Sequence, residues 1–225
     1  MNCENDFYQL PSSWALAKLS DISLINPKTN LEGLADDLDV TFLPMKCIGE
    51  LSGNIDRSII KKLSEVKKGY TSFMDGDLLF AKITPCMENG KLAIAHDLRS
   101  DIGFGSTEFH IIRLHDSLVK KFFFFYISQE KFRKDAQRNM TGTAGQLRVP
   151  TTYLRKIIVP LPSASEQHRI VARIEELFSR LGRRSRGAAE AVGAQGGGGG
   201  QAHGGVAKDA SGCRACGEVV GANKQ

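Results

Sequence analysis

The sequence predicts an α+β fold: a mainly antiparallel, curved sheet with flanking helices, followed by one long protruding helix and a disordered tail. Three observations carry that prediction. Short apolar runs bounded by turn residues recur between residues 40 and 160. The clearest is Leu78-Leu79-Phe80-Ala81 behind the turn Met74-Asp75-Gly76-Asp77, a buried-strand pattern. The spacing turns helical over 116–140 and again beyond Pro162. Finally, residues 182–225 contain no Leu, Ile, Phe, Tyr, Trp or Met and hold 13 of the 23 glycines. Such a segment buries too little apolar surface to offset its ordering entropy, so it is expected to be disordered.

Taken in order, residues 1–10 form a flexible arm, and the domain occupies 11–162. Trp14, the single Trp, is expected as a core anchor in a short strand that runs into a helical turn. Asn26-Pro27-Lys28 ends that segment, residues 31–39 form a polar loop, and Val40 opens a strand. A short helical turn falls within 58–65. Leu78-Leu79-Phe80-Ala81 and Leu92-Ala93-Ile94-Ala95 are two strands around a polar loop. A third strand over 105–114 alternates residues, which suggests one buried face. Over 116–140, Leu118, Phe122, Phe125 and Phe132 share a helical face, with Asp116 or Ser117 as the cap. The run of four Phe at 122–125 points all round that helix and calls for burial on several sides. Residues 140–146 are a Gly/Thr loop, a helical turn follows Pro150, and the last strand covers 156–160. Ser163-Ala164-Ser165-Glu166 is a capping box. The helix it starts spans 163–181, with Glu166-Gln167-His168 on its exposed face, and stops at Leu181-Gly182. The abrupt change of composition there would be explained by an out-of-frame reading of a helix-coding segment.

Composition excludes several classes. Hydrophobic content is 41% and charged content 24%, as in ordinary globular domains. The net charge of +5 splits into +2 over residues 1–181 and +3 beyond, so any anion-binding face must come from local clustering. Cys3, Cys47 and Cys86 are scattered as in a reduced cytoplasmic protein. The first residues, Met1-Asn2-Cys3-Glu4-Asn5-Asp6, lack the apolar core of a signal peptide, and no run is long enough to span a bilayer.

Amides, guanidinium groups and hydroxyls read base edges, while cations hold phosphates. The loop after Ala81 supplies Lys82, Thr84, Asn89 and Lys91, and the next turn supplies the hydroxyls of Ser106 and Thr107 with Glu108 as an acceptor for cytosine's amino group. Arg138, Thr143, Gln146 and Arg148 lie in and around the Gly/Thr loop. The same residue types also make up ordinary surface loops, so the residues alone leave both interpretations open. Asp75, Asp77, Glu88 and Lys91 suggest the acid-acid-lysine set of metal-dependent nucleases, but Lys91 stands three positions after Glu88 with a Gly between. No phosphate loop or cofactor fingerprint occurs. Cys213 and Cys216 have zinc spacing but only two of the four ligands a structural zinc needs. No catalytic or metal residue is assigned.

Three motifs carry a family resemblance: KGYTSFMDGDLLFAKITPCMENGK with GFGSTEF, then GTAGQLRVP, then IVPLP leading into SEQHRIV. Over about residues 10–181 the chain resembles the specificity subunit of type I restriction–modification systems, in a form with a single target-recognition domain. The resemblance implies a non-catalytic subunit that reads one half of a bipartite target in double-stranded DNA and docks methyltransferase subunits. A restriction/motor subunit would join indirectly. S-adenosylmethionine, ATP and Mg would belong to those partners, and this chain would hold no cofactor. The helix would be the start of the family's spacer, with Ile170, Val171, Ile174, Leu177, Phe178 and Leu181 as its interface seam, pairing with itself or with a second half-subunit. A motif shared by members with different targets implies that Asp75, Gly76, Asp77 and Pro85 build the frame. It also implies that Lys82 and Lys91 hold phosphates, and that base reading shifts toward 140–148. The alternative is a truncated fragment that folds and binds but does not assemble.

Overall fold

A computed structural model describes residues 10–195, with side chains over 10–181. In chain order the strands are β1 (Ala15–Lys18), β2 (Ser23–Ile25), β3 (Asp39–Leu43), β4 (Ile60–Lys62), β5 (Thr71–Met74), β6 (Leu78–Ala81), β7 (Leu92–Ile94), β8 (Ile102–Gly105), β9 (Phe109–Leu114), β10 (Thr141–Thr143), β11 (Gln146–Arg148) and β12 (Ile158–Leu161). The helices are α1 (Leu19–Ile22), α2 (Leu63–Val66), α3 (Lys120–Ser128), α4 (Glu130–Arg138), α5 (Thr151–Lys156) and α6 (Ala164–Gln195). The chain divides into two units, Met1–Arg173 and Ile174–Gln225.

The strands of the first unit form two four-stranded sheets, in the orders β2-β9-β6-β7 and β4-β3-β8-β5, together with the antiparallel pairs β1-β12 and β10-β11. The first sheet is antiparallel throughout, and the second contains one parallel pair, β3 with β8. Alternation along β6 and β9 explains how they stack. Leu78, Phe80, Ile112 and Leu114 join Phe122, Phe123, Ile127 and Phe132 from α3 and α4 in one cluster. Leu79, Ala81, Phe109 and Ile111 join Leu43 and Phe73 of the second sheet in another. The outer face of that sheet, Val40, Phe42 and Phe104, is closed by Leu63 and Val66 of α2. The expectation of one buried face over 105–114 is therefore corrected. β9 is buried on both faces because it lies between a helical layer and a second sheet. The stretch is also two strands, β8 and β9, parted by a turn in which Ser106 Oγ accepts the Glu108 N–H at 3.2 Å.

The helical stretch over 116–140 is likewise two helices, separated by Gln129 in an extended conformation (φ −61°, ψ 141°). Neither Asp116 nor Ser117 caps α3. Val119 occupies that position, and its N–H donates to Gln167 Oε1 at 3.0 Å. Gln167, expected on an exposed face, is in fact buried, with its amide donating to Pro162 O at 2.9 Å. One carboxamide thus satisfies two backbone groups at element ends, where intrahelical partners are missing. Trp14 is only half-buried and lies outside the core clusters.

The Ser163 hydroxyl accepts the Glu166 N–H at 3.3 Å, the N-cap half of the expected capping box, while the Glu166 carboxylate pairs with Arg169. α6 does not stop at Leu181; it continues to Gln195. Residues 182–195 are rich in Ala and Arg, strong helix formers, while their glycines stand singly and cost about 1 kcal/mol each. The Gly196–Gly200 run, Cys213, Cys216 and residues 1–9 lie outside the described residues, as do the expectations placed on them. Among the described residues no helix is long and apolar enough to cross a membrane.

Candidate nucleic-acid interface

The Gly/Thr loop at 140–146 turns out to be a hairpin. β10 pairs with β11 across Ala144-Gly145, with Gly145 at φ 80°, a conformation that favours glycine. Short loops with Gly at the left-handed position are a standard hairpin device. The hairpin is exposed, so its position rests on three ties. Ile83 bridges Arg148, and the Val149 N–H donates to Lys82 O at 2.8 Å. The Thr84 hydroxyl donates to Leu147 O and accepts the Leu147 N–H, both at 3.0 Å. The third tie is the two-pronged bond of Arg148 to Glu108, Nε to Oε2 at 2.9 Å and Nη2 to Oε1 at 2.8 Å. The Arg148 guanidinium holds the Glu108 carboxyl below the usual carboxylate range, against the upward push of burial.

A fourth residue fixes the segment after the hairpin. His110 is buried on β9, and its Nε2 lies 2.8 Å from Val149 O. A carbonyl can only accept, so Nε2 carries the proton and Nδ1 accepts from Asn26 Nδ2 at 3.1 Å. Asn26 in turn accepts the Ile111 N–H at 2.9 Å. Burial pushes the His110 imidazole below its ordinary value, with the bond to Val149 opposing. The unfolded chain therefore takes up this proton first, and stability falls as pH drops through about 6.5. Urea midpoints at pH 7.5 and 5.5 check this: a His110→Gln variant should lose part of the difference, and equal pH dependence in both proteins would contradict it.

The structure brings together Lys82, Thr84, Ser106, Thr107, Gln146 and Arg148 at the junction of the loop after β6, the β8–β9 turn and the hairpin. Thr107, Thr143 and Gln146 are exposed there. Arg138 closes α4 just before the hairpin, exposed and paired with Asp135 at 2.9 Å. Two expected residues face elsewhere. Lys91 is buried, and its ammonium donates to the carbonyls of Met45 (3.3 Å) and Ile48 (3.1 Å). That corrects its assignment to phosphate: an ammonium enclosed by two carbonyls braces the 45–48 turn. Asn89 is exposed but donates to Glu50 Oε1 at 2.9 Å. Thr84 and Arg148 are both engaged in bracing the hairpin. Two of the acids that resembled a nuclease set are also engaged, while Glu88 Oε2 is buried without a hydrogen-bond partner. Both Asp77 oxygens bond Arg113, and Asp75 Oδ1 accepts the Leu98 N–H at 3.1 Å.

The seam on α6 divides as well. Val171 is buried and Ile170 half-buried against the core of the first unit, so these two pack on their own domain. Leu177, Phe178 and Leu181, in the second unit, are exposed.

Glu108, expected as an acceptor for a base, instead has both oxygens on Arg148 and holds the hairpin, and sequence reasoning missed His110 altogether. Charge could have indicated the first, because a lone acid amid Lys82 and Arg148 is well placed to pair. Nothing local marks the second, whose partners come from positions 26 and 149.

Fold and site together define a class: an α+β binding domain that gathers polar side chains on an exposed hairpin and two braced loops. The chain belongs to the family of the type I restriction modification DNA specificity domain, whose model matches residues 11–186. Among curated proteins it is similar to two from Escherichia coli. One is the type I restriction enzyme EcoAI specificity subunit, 39% identical over 173 residues. The other is the EcoEI specificity subunit, 39% identical over 172 residues. Each match covers 76% of this chain and 29% of the relative, so the chain spans under a third of their length. The fold is shared with the HsdS subunit from Thermoanaerobacter tengcongensis, at a TM-score of 0.65 and 23% identity over 82% of this chain and 46% of that one. A chain from work on complex assembly and conformational transition of the type I R-M system matches at the same TM-score, with 24% identity, over 82% of this chain and 47% of that one.

Proposed function

We propose that this chain is a sequence-specific DNA-recognition subunit of a type I restriction–modification system, reading one half of a bipartite target and docking methyltransferase subunits. It would act in the cytoplasm without chemistry of its own. S-adenosylmethionine, ATP and Mg would serve partner subunits, and the restriction/motor subunit would join through them. The exposed stripe of α6 around Leu177 would meet those subunits, a second half-subunit or a second copy of this chain. The supporting observation is the hairpin β10–β11. Its outward residues are free to approach bases, while Thr84, Arg148 and Glu108 fix its backbone from behind. Thr143 and Gln146 are the base readers in this assignment, with Ser106 and Thr107 flanking them, Arg138 and Lys82 on phosphates, and Asn89 at the margin.

Gln146→Ala is expected to relax sequence preference by about 1–3 kcal/mol at one base position. Methylome sequencing of cells carrying the variant, with methyltransferase subunit and a second half-subunit supplied, reads this directly. Lys120→Ala should leave the motif unchanged. A Gln146→Ala motif identical to wild type would remove that residue from base reading. Failure of the wild-type chain to co-purify with methyltransferase subunits at micromolar concentration would favour the isolated-fragment alternative.

A further inference from the structure

Beside the hairpin lies an open groove of about 360 Å³, bordered by the segments 26–29, 70–72 and 107–111 and by Lys82. Two of its polar groups lack partners. The Thr29 hydroxyl oxygen is buried with no hydrogen-bond partner. Buried polar groups are nearly always paired, with protein, water or an ion, so this hydroxyl is open to a further partner. Lys82 is half-buried, and the nearby carboxylate, Glu108, has both oxygens engaged by Arg148. One acid therefore faces two cations, which leaves an excess positive charge at the groove wall. Lys28, an exposed second cation, lines the same space, as do the hydroxyl residues Ser72 and Thr107. Ammonium groups with convergent hydroxyl donors and no acid among the lining residues form an anion seat.

From this geometry we infer that the groove seats a backbone phosphate of bound DNA, held by Lys82, Lys28 and the Thr29 hydroxyl. The inference rests on the proposed DNA-reading role and extends it to residues outside the hairpin. Lys82 and Thr107 belong to both groove and reading edge, so a strand lying on the hairpin continues naturally into the groove. Burial holds the Lys82 ammonium below its ordinary proton affinity, and a phosphate placed beside it would reverse that shift. A free phosphate would satisfy the same donors, so the test separates the two sources.

The full-length chain is titrated with a fluorescent mixed-sequence duplex across a range of salt. Phosphate contacts dominate such binding and set its salt slope. Lys82→Gln should weaken binding roughly tenfold, the size of one charged hydrogen bond, and reduce the slope of log K against log salt by about 0.9. Lys82→Arg should restore the slope. Thr29→Val should weaken binding while leaving the melting temperature equal or higher, because it removes an orphaned hydroxyl. A merely structural Thr29 would instead lower the melting temperature. Unchanged affinity and slope in Lys82→Gln, with wild type binding DNA, would overturn the phosphate seat and spare the hairpin assignment. If wild type bound no duplex, the DNA source would be overturned together with the reading role. Shifts of the Thr29 and Lys82 amide resonances on adding inorganic phosphate would then mark a free-anion seat instead.

Discussion

Replacing Asp77 by Ala is expected to destabilise the fold by about 2–3 kcal/mol, between the costs for exposed and fully buried ion pairs, because the Arg113 side chain left behind is 27% exposed. Asp77 is 1% exposed. Its carboxylate accepts Arg113 Nε at 2.8 Å and Nη2 at 2.7 Å, and Oδ2 also accepts the Met74 N–H at 2.8 Å. Its own backbone closes the turn, with the Asp77 N–H donating to Met74 O and Asp77 O accepting the Ala95 N–H. Loss of the side chain would leave a guanidinium and a backbone amide without an acceptor, at the start of the central strand β6. The bond to Asp77 holds the Arg113 guanidinium above its ordinary value, and a guanidinium keeps its proton even without that bond, so Arg113 stays charged in the variant. Urea unfolding followed by circular dichroism should show a lower midpoint with an unchanged slope. Arg113→Met added to Asp77→Ala should recover part of the loss, because no charge is then stranded. A single-variant loss below about 1 kcal/mol, as for exposed pairs, would refute the buried-pair account.

The turn that Asp77 closes was legible in the sequence because its determinants are local. Asp75-Gly76-Asp77 precedes an apolar run, and Gly76 adopts φ 87° as such a turn needs. The run at β6 was legible for the same reason. Its neighbours show where local pattern gives out. Lys91 follows a polar loop and looks like a surface cation, but its ammonium enters the turn at 45–48, a contact fixed by tertiary folding. Gln167 follows a capping residue in what looks like a solvated first turn, yet it closes the start of α3. The hairpin at 141–148 was missed for a different reason. Thr-Gly-Thr and Gln-Leu-Arg offer little apolar alternation, and the pairing is imposed by Thr84 and Glu108 from outside. Of the candidate site, the residue types and their rough neighbourhood were therefore readable. The division between those that brace and those that face outward was not, because it depends on which carbonyl or carboxylate lies opposite.

The second large effect is expected at Gly105, within the motif Gly103-Phe104-Gly105 on β8. A Cβ built there would lie 2.4 Å from Leu43 O, a backbone atom of the paired strand β3. Leu43 cannot withdraw, because its side chain is fully buried between the two sheets and its strand is paired on both sides. Gly105→Ala should therefore cost about 3 kcal/mol, the upper end of the usual overpacking range. Gly103 differs in one respect. A Cβ there would meet the Phe73 ring at 2.1 Å, so the obstacle is a side chain. Gly103→Ala should be comparably destabilising alone, yet combination with Phe73→Leu should cost less than the sum of the two changes, with a coupling of about 0.5–3 kcal/mol. No such rescue is expected for Gly105, where the opposing atom belongs to the backbone whatever residue stands at 43. Chemical unfolding of the three single variants and the two doubles, Gly103→Ala with Phe73→Leu and Gly105→Ala with Phe73→Leu, decides the matter. Additive losses at Gly103, or recovery at Gly105, would mean that the two glycines are not fixed by these contacts. Because β8 ends in the Ser106-Thr107-Glu108 turn that carries Glu108, the same variants should also loosen Arg148 and with it the hairpin. Duplex binding by Gly105→Ala, measured below its unfolding midpoint, is then expected to fall along with stability. Undiminished binding in that variant would show that the hairpin is held by the 82–84 loop without help from β8.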